Sequence, residues 1–144
     1  MENNFNLVTI EKDVFAVDTN CTANALRYST TTDDVKLFNA MNGGSEPASD
    51  YIGQEVEVSD IIITSAEVAE DPNDDTSETV SKPCAHFITT DGKHLATLSN
   101  GIIKACKNLL SVGFAPTAES PITIKFKTIK TKKGTAHTFD LVKR

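Results

Sequence analysis

Short alternations of apolar and polar residues recur along this chain and predict a mainly β protein. In a strand, successive side chains point to opposite faces of the sheet, so alternation indicates a strand with one buried face. This pattern predicts five strands, at residues 34–41, 54–64, 84–90, 121–130 and 135–143. The alternation changes phase near Ser59–Asp60, which predicts a β-bulge or a bend within the second strand.

One segment, residues 97–112, has the period of a helix instead. Thr97 or Ser99 can cap its N-terminus, and Gly113 stands where a glycine commonly follows a helix. Cys106 lies beside the apolar stripe, so we expect it in the core. The stripe itself consists of residues at i, i+4, i+7, i+11 and i+14, namely Leu98, Ile102, Ala105, Leu109 and Val112.

The resulting order is β-β-β-α-β-β, which is the order of an OB-fold. We therefore expect a mainly β protein, a five-stranded OB-like barrel with one helix between strands 3 and 4, plus an N-terminal arm. Residues 1–32 are assigned to the arm and residues 33–144 to a single OB-like domain. Residues 66–81 are acidic and polar, which predicts a loop outside the core.

The charge of the chain changes sign along its length. Residues 1–81 carry a net charge of −14, residues 82–144 carry +8, and the whole chain carries −6. A polyanion responds to the local field, because salt screens charges beyond about 8 Å. The acidic total therefore does not exclude nucleic acid as a partner, and the basic half favours it.

The last two predicted strands hold most of this positive charge. A row of lysines gives affinity for a phosphate backbone without sequence preference. The same pattern also occurs on edge hairpins that lysines protect from aggregation. The predicted phosphate contacts are Lys36, Lys93, Lys125, Lys127, Lys130, Lys132 and Lys133.

Phe38 is the main candidate for stacking on bases. In the predicted strand it shares a polar face with Lys36, which suits a stacked base beside a phosphate contact. The alternatives are a strand buried on both faces, or a Phe38 side chain covered by the N-terminal arm. Tyr28, Tyr51 and Phe87 are weaker stacking candidates, and the chain has no tryptophan.

Nothing in the sequence indicates an enzyme, a cofactor or a metal site. Cysteines and histidines lack the spacing of a zinc quartet, and no phosphate-binding or nucleophile motif is present. The three cysteines form no CxxC pair, which favours a reducing compartment. No signal peptide or membrane-spanning run is visible, so we expect a cytoplasmic protein without a membrane partner.

Several short motifs, in order, resemble the single-stranded DNA-binding proteins of short-tailed phages that replicate by protein priming. The resemblance covers roughly residues 33–143. It rests on Val35-Lys36-Leu37-Phe38-Asn39-Ala40, Gly43-Gly44, Ile52-Gly53, Phe87 before Asp91-Gly92, Ser99, Leu109-Leu110, Ile122-Thr123-Ile124-Lys125 and Lys133-Gly134.

The resemblance implies an early phage protein, in the host cytoplasm, that coats and protects displaced DNA strands during replication. It implies no enzymatic activity. Single-stranded DNA is the expected partner, with RNA and replication proteins as further candidates. The N-terminal arm and the acidic loop are longer than the family pattern, and the arm is a candidate for self-association or for covering the barrel. The end Leu-Val-Lys-Arg is not the acidic tail by which bacterial counterparts recruit partners.

A second class of function stays open at this point. The acidic first half could mimic nucleic acid, and the protein would then inhibit a host nucleic-acid-binding protein. A small structural protein of the virion is a third interpretation. Charge reversal of the lysines at 125–133 distinguishes the first two, because it should abolish DNA binding and spare inhibition.

Overall fold

The computed structural model describes residues 26–42, 44–69, 73 and 79–143. This part of the chain is mainly β, as predicted. Its strands and helices, in chain order, are β1 (Leu26–Ser29), α1 (Asp34–Asn42), β2 (Glu46–Pro47), a 3₁₀ turn (Ala48–Tyr51), β3 (Glu55–Ala69), β4 (Thr79–Thr89), β5 (His94–Thr97), α2 (Asn100–Ser111), β6 (Ile122–Thr131) and β7 (Gly134–Lys143).

The strands form one curled sheet in the order β2-β5-β4-β3-β6-β7, and β1 pairs with β3. Among the ladders of the described residues, the short β2–β5 pairing is parallel and the others are antiparallel. Within the described residues no ladder joins β5 to β7, so these strands make a half-barrel.

The predicted bulge in β3 is confirmed. Val58 pairs with Thr89 and Asp60 with Ile88, which leaves Ser59 as the extra residue. The extra residue shifts the alternation by one position. Apolar side chains therefore stay on one face of the sheet on both sides of the bulge: Val56 and Val58 before it, Ile61 and Ile63 after it.

We call this apolar side the inner face, and the opposite side the outer face. On the inner face, three phenylalanines from β4, β6 and β7 pack edge to face: Phe87, Phe126 and Phe139. Their ring centroids lie 5.5 to 6.1 Å apart, within the range that favours aromatic pairs. α2 covers the inner face with four buried side chains, Ile102, Ile103, Cys106 and Leu109.

The predicted helix over 97–112 is confirmed as α2, with shorter ends. Ser99 is its N-cap, and its side chain accepts a hydrogen bond from the backbone N–H of Ile102. Gly113 follows the helix with a φ of +88°, which glycine adopts without strain. Two residues of the predicted stripe, Leu98 and Val112, lie beyond the helix ends and are exposed.

The predicted strand at 34–41 is wrong, because these residues form the helix α1. The Asp33 carboxylate caps it by accepting hydrogen bonds from the backbone N–H groups of Val35 and Lys36, at 3.0 and 3.3 Å. Such a cap stabilises the first helical turn. Its buried and half-buried apolar residues, Leu37, Ala40 and Met41, have the i, i+3, i+4 spacing of a helix and not that of a strand.

Three further boundaries differ from those predicted. β5, which follows the Asp91-Gly92 turn, is a strand that the alternation does not indicate. β3 and β4 extend into residues 66–69 and 79–81, which were predicted as loop. β1 belongs to the segment assigned to the N-terminal arm; residues 1–25 lie outside the described part.

Candidate nucleic-acid interface

The β6–β7 hairpin carries the densest positive charge in the described part of the chain. It extends past Phe126 for five residues, about 17 Å at the usual rise of a strand, to a turn closed by Gly134. Residues 128–135 are all exposed and include no carboxylate. The tip therefore presents three exposed lysines, Lys130, Lys132 and Lys133, to solvent.

Two more lysines continue this row along β6 on the outer face. Lys125 is exposed and pairs in register with Asp140 and with Glu55. The Lys127 ammonium lies 2.9 Å from the Asp140 carboxylate. An exposed ion pair of this kind is weak, so a phosphate can compete for Lys127. The structure thus places five of the seven predicted phosphate contacts, Lys125, Lys127, Lys130, Lys132 and Lys133, on one hairpin.

Lys93 and Tyr51 lie together at the turn between β4 and β5. The Lys93 ammonium sits 5.4 Å above the centre of the Tyr51 ring, which is within reach of a cation–π interaction. The Tyr51 hydroxyl donates to Glu46 at 2.9 Å, and this bond raises the pKa of Tyr51. The ring is buried, so the structure does not offer it for stacking.

The other two main candidates, Phe38 and Lys36, lie on opposite sides of α1. Phe38 is 64% exposed, and its neighbour on the helix, Val35, is 68% exposed. Lys36 points the other way: its ammonium lies 2.8 Å from the carboxylate of Asp60, a residue that is only 2% exposed. Phe38 is therefore available to a base, whereas Lys36 is engaged within the protein.

Phe87 has no exposed surface, since it belongs to the phenylalanine cluster of the inner face. A base cannot stack on it in this conformation. Its place in β4 follows from alternation, because Ala85 and Phe87 face inward and His86 faces outward.

A pair of histidines on the outer face was not predicted. His86 Nδ1 and His94 Nε2 lie 2.8 Å apart, and His86 Nε2 lies 2.9 Å from the Thr64 hydroxyl. One of the two facing nitrogens must donate and the other accept, so both rings cannot be protonated while this bond persists. Burial lowers the pKa of His86 to about 4, with a smaller effect from His94.

The pairing could have been found in the sequence. The Asp91-Gly92 turn predicts an antiparallel hairpin in which residues near 86 and 94 lie diagonally across two strands. Burial also lowers the pKa of His94, although a hydrogen bond with the Gly44 backbone opposes the shift. The chain after α1 is therefore linked through Gly44 to the sheet.

The remaining polar groups do not assemble a metal site within the described residues. Cys106 is fully buried, as predicted, and burial raises the pKa of its thiol. The helices of the described part are too short or too polar to cross a membrane. A largely apolar groove of about 510 Å³ lies between α2 and β7; its walls include Leu109, Phe114 and Ile129.

The comparison with known families agrees with the resemblance noted in the sequence. Residues 17–142 match the family described as phage single-stranded DNA-binding protein, of the Phi29 type. No curated protein and no solved structure matches the chain. The match covers most of the chain, and this family consists of binding proteins without enzymatic activity. The chain therefore belongs to the Phi29-type family of phage single-stranded DNA-binding proteins.

Proposed function

We propose that this protein coats single-stranded DNA without sequence preference and protects displaced strands while phage DNA is replicated. The observation that carries the proposal is the β6–β7 hairpin, which projects from the sheet with exposed lysines and no carboxylate near its tip. Lysines in such a row neutralise phosphates and release counterions, which binds any sequence.

The order of the strands supports the same proposal. Strands β5-β4-β3-β6-β7 follow the neighbour order 3-2-1-4-5 of an OB-fold, with α2 between the third and fourth. OB-folds bind oligonucleotides over strands 2 and 3 and with the loops that join strands 1–2 and 4–5. The corresponding 4–5 loop here is the basic tip at 131–134.

In the proposed site, phosphates contact the hairpin lysines and a base stacks on Phe38. The lysines are Lys125, Lys127, Lys130, Lys132 and Lys133, with Lys93 as a further contact. Phosphate contacts supply the affinity, and a stacked base adds about 1–3 kcal/mol without reading sequence. Phe87 is not part of this site because it is buried.

Fluorescence anisotropy of a labelled oligothymidine tests the proposal. The protein is titrated at several salt concentrations, beside a matched DNA duplex and a matched RNA strand. We expect tight binding to the single strand that weakens steeply with salt, and much weaker binding to the duplex. Absence of binding at low salt would refute the proposed function.

A charge-reversed hairpin gives the matched control. The variant Lys130→Glu, Lys132→Glu, Lys133→Glu changes only exposed side chains at the tip. It should remain folded and lose most of its affinity for the oligothymidine. Unchanged affinity would mean that the hairpin tip is not the interface and that DNA contacts another surface of the protein.

A further inference from the structure

We infer that Asp60 and Lys36 act as a positioning pair that holds α1 against the sheet and presents Phe38 to the nucleotide, so that Lys36 itself contacts no phosphate. The inference rests on the proposed function, because it assigns roles within the same single-stranded DNA site.

The ion pair is the polar link between α1 and the sheet among the described residues. The Asp60 carboxylate, 2% exposed, accepts from the Lys36 ammonium at 2.8 Å and from the Ser59 hydroxyl at 2.9 Å. Ser59 is the extra residue of the β3 bulge, so the bulge places this carboxylate on the outer face beneath α1. A buried carboxylate needs such a partner, because an unpaired charge away from water is costly.

Helix geometry connects this pair to Phe38. Residues two apart on an α-helix point about 200° from each other around its axis. When Lys36 is held against the sheet, Phe38 must face away from it, and it is 64% exposed there. Val35, one turn earlier, is exposed on the same side. The direction of Lys36 therefore sets the direction of the stacking candidate.

The start of α1 is fixed independently. Thr30 and Ile61 exchange two hydrogen bonds, at 3.0 Å from the Thr30 N–H to the Ile61 carbonyl and 2.9 Å from the Ile61 N–H to the Thr30 hydroxyl. These bonds attach the chain before the helix to β3. Loss of the ion pair should thus leave the fold in place and change only how α1 lies on the sheet.

The described residues around Lys36 make a poor site for a phosphate. Asp33 and Asp34, both exposed, begin the helix, so the surroundings of Lys36 are acidic and do not favour a phosphate. The lysine row of β6 lies elsewhere on the sheet and carries the positive field. A positioning role and a phosphate contact make different predictions for salt dependence, since each phosphate contact on single-stranded DNA adds about 0.7 to the slope.

The test uses the paired variant Lys36→Met with Asp60→Asn, which removes both charges and leaves no unpaired carboxylate. We expect its affinity for oligothymidine to fall about 10-fold, as for Phe38→Ala, because both changes remove the same stacked base. The slope of log affinity against log salt should stay at the wild-type value. Adding Phe38→Ala to the paired variant should weaken binding no further, because contacts that depend on each other are not additive.

Lys125→Gln is the control for a true phosphate contact. It should lower the slope by about 0.7, and its effect should add to that of Phe38→Ala. A drop of the same size in the paired variant would overturn the inference and make Lys36 a phosphate contact. Wild-type affinity in the paired variant, or in Phe38→Ala, would also overturn it while leaving the proposed function intact.

A measurement on the wild-type protein covers the case in which the paired variant fails to fold. Acetylation of lysines is followed by mass spectrometry, with and without oligothymidine. We expect DNA to protect the hairpin lysines. Lys36, whose side chain is 35% exposed, should react equally in both samples because it contacts no phosphate. A reactive Lys36 that DNA protects would overturn the inference, whereas no protection anywhere would count against the proposed function.

Discussion

The inner and outer faces of the curled sheet differ in the kinds of side chain that they carry. The inner face is filled with packed apolar groups, among them Phe87 and Phe126, which have no exposed surface. The outer face instead carries polar side chains in specific pairs, such as Lys36 with Asp60 and His86 with His94. The difference indicates that stability depends mainly on the inner face and the response to pH on the outer one, where the proposed nucleic-acid contacts Lys125 and Lys127 also lie.

The largest expected effect is the loss of an inner-face ring. Phe126→Ala removes the phenylalanine that contacts both Phe87 and Phe139, at centroid distances of 5.5 and 6.1 Å. It should lower the free energy of unfolding by about 3–5 kcal/mol, from lost burial and the cavity left behind. Urea unfolding measures this. A loss below about 1 kcal/mol would contradict the assignment of stability to the inner face.

The two helices show how much of the fold the sequence could predict. α2 has a stripe over three turns, a serine cap and a following glycine, so its period could not be mistaken for that of a strand. α1 spans nine residues, and over so few positions the alternation of Val35 to Phe38 resembled a strand. Its cap, Asp33, was the local signal for a helix.

The candidate site, like the fold, could be predicted from the sequence where it depends on local features and not where it depends on distant contacts. The hairpin lysines follow from alternation and from a turn, both local features. The roles of Lys36 and Phe87 depend on distant partners, Asp60 in β3 and Phe126 in β6, which no local pattern specifies. β5 was missed because four residues are too few for alternation to indicate a strand.

The second prediction concerns acid stability and the outer face. Because the pKa of His86 is about 4 when folded, below its usual 6.5, the unfolded chain binds a proton first as the pH falls. The part of the free energy of unfolding that depends on His86 is therefore fully present above about pH 6.5. It is lost as the pH falls toward 4, and it amounts to about 3 kcal/mol. The free energy of unfolding, measured by urea titration across this range, checks it.

His86→Gln is expected to flatten that decline, because glutamine does not titrate. His137→Gln is the matched control, since it makes the same substitution at a histidine that stands outside the pair. An equal decline in His86→Gln would mean that another group causes the acid sensitivity.

A third, smaller effect is expected where α2 packs against β7 to close the inner face. A Cβ at Gly101 would overlap the backbone carbonyl oxygen of His137, and a backbone atom cannot move aside as a side chain can. Gly101→Ala should therefore destabilise the protein by about 1–3 kcal/mol, despite the better helix propensity of alanine. Gly44→Ala is the control, because nothing lies near its Cβ position.

The smallest effect on stability should come from Phe38→Ala, which gives the sharpest contrast with Phe126→Ala. Phe38 is 64% exposed, so its removal should change the free energy of unfolding by less than about 0.5 kcal/mol. Its affinity for oligothymidine should nevertheless fall by about 1–3 kcal/mol, through the loss of a stacked base. Anisotropy and urea unfolding on the same preparations separate the two quantities. If Phe38→Ala destabilised the protein as much as Phe126→Ala does, the ring would be a core residue, and the division between the two faces would not hold at α1.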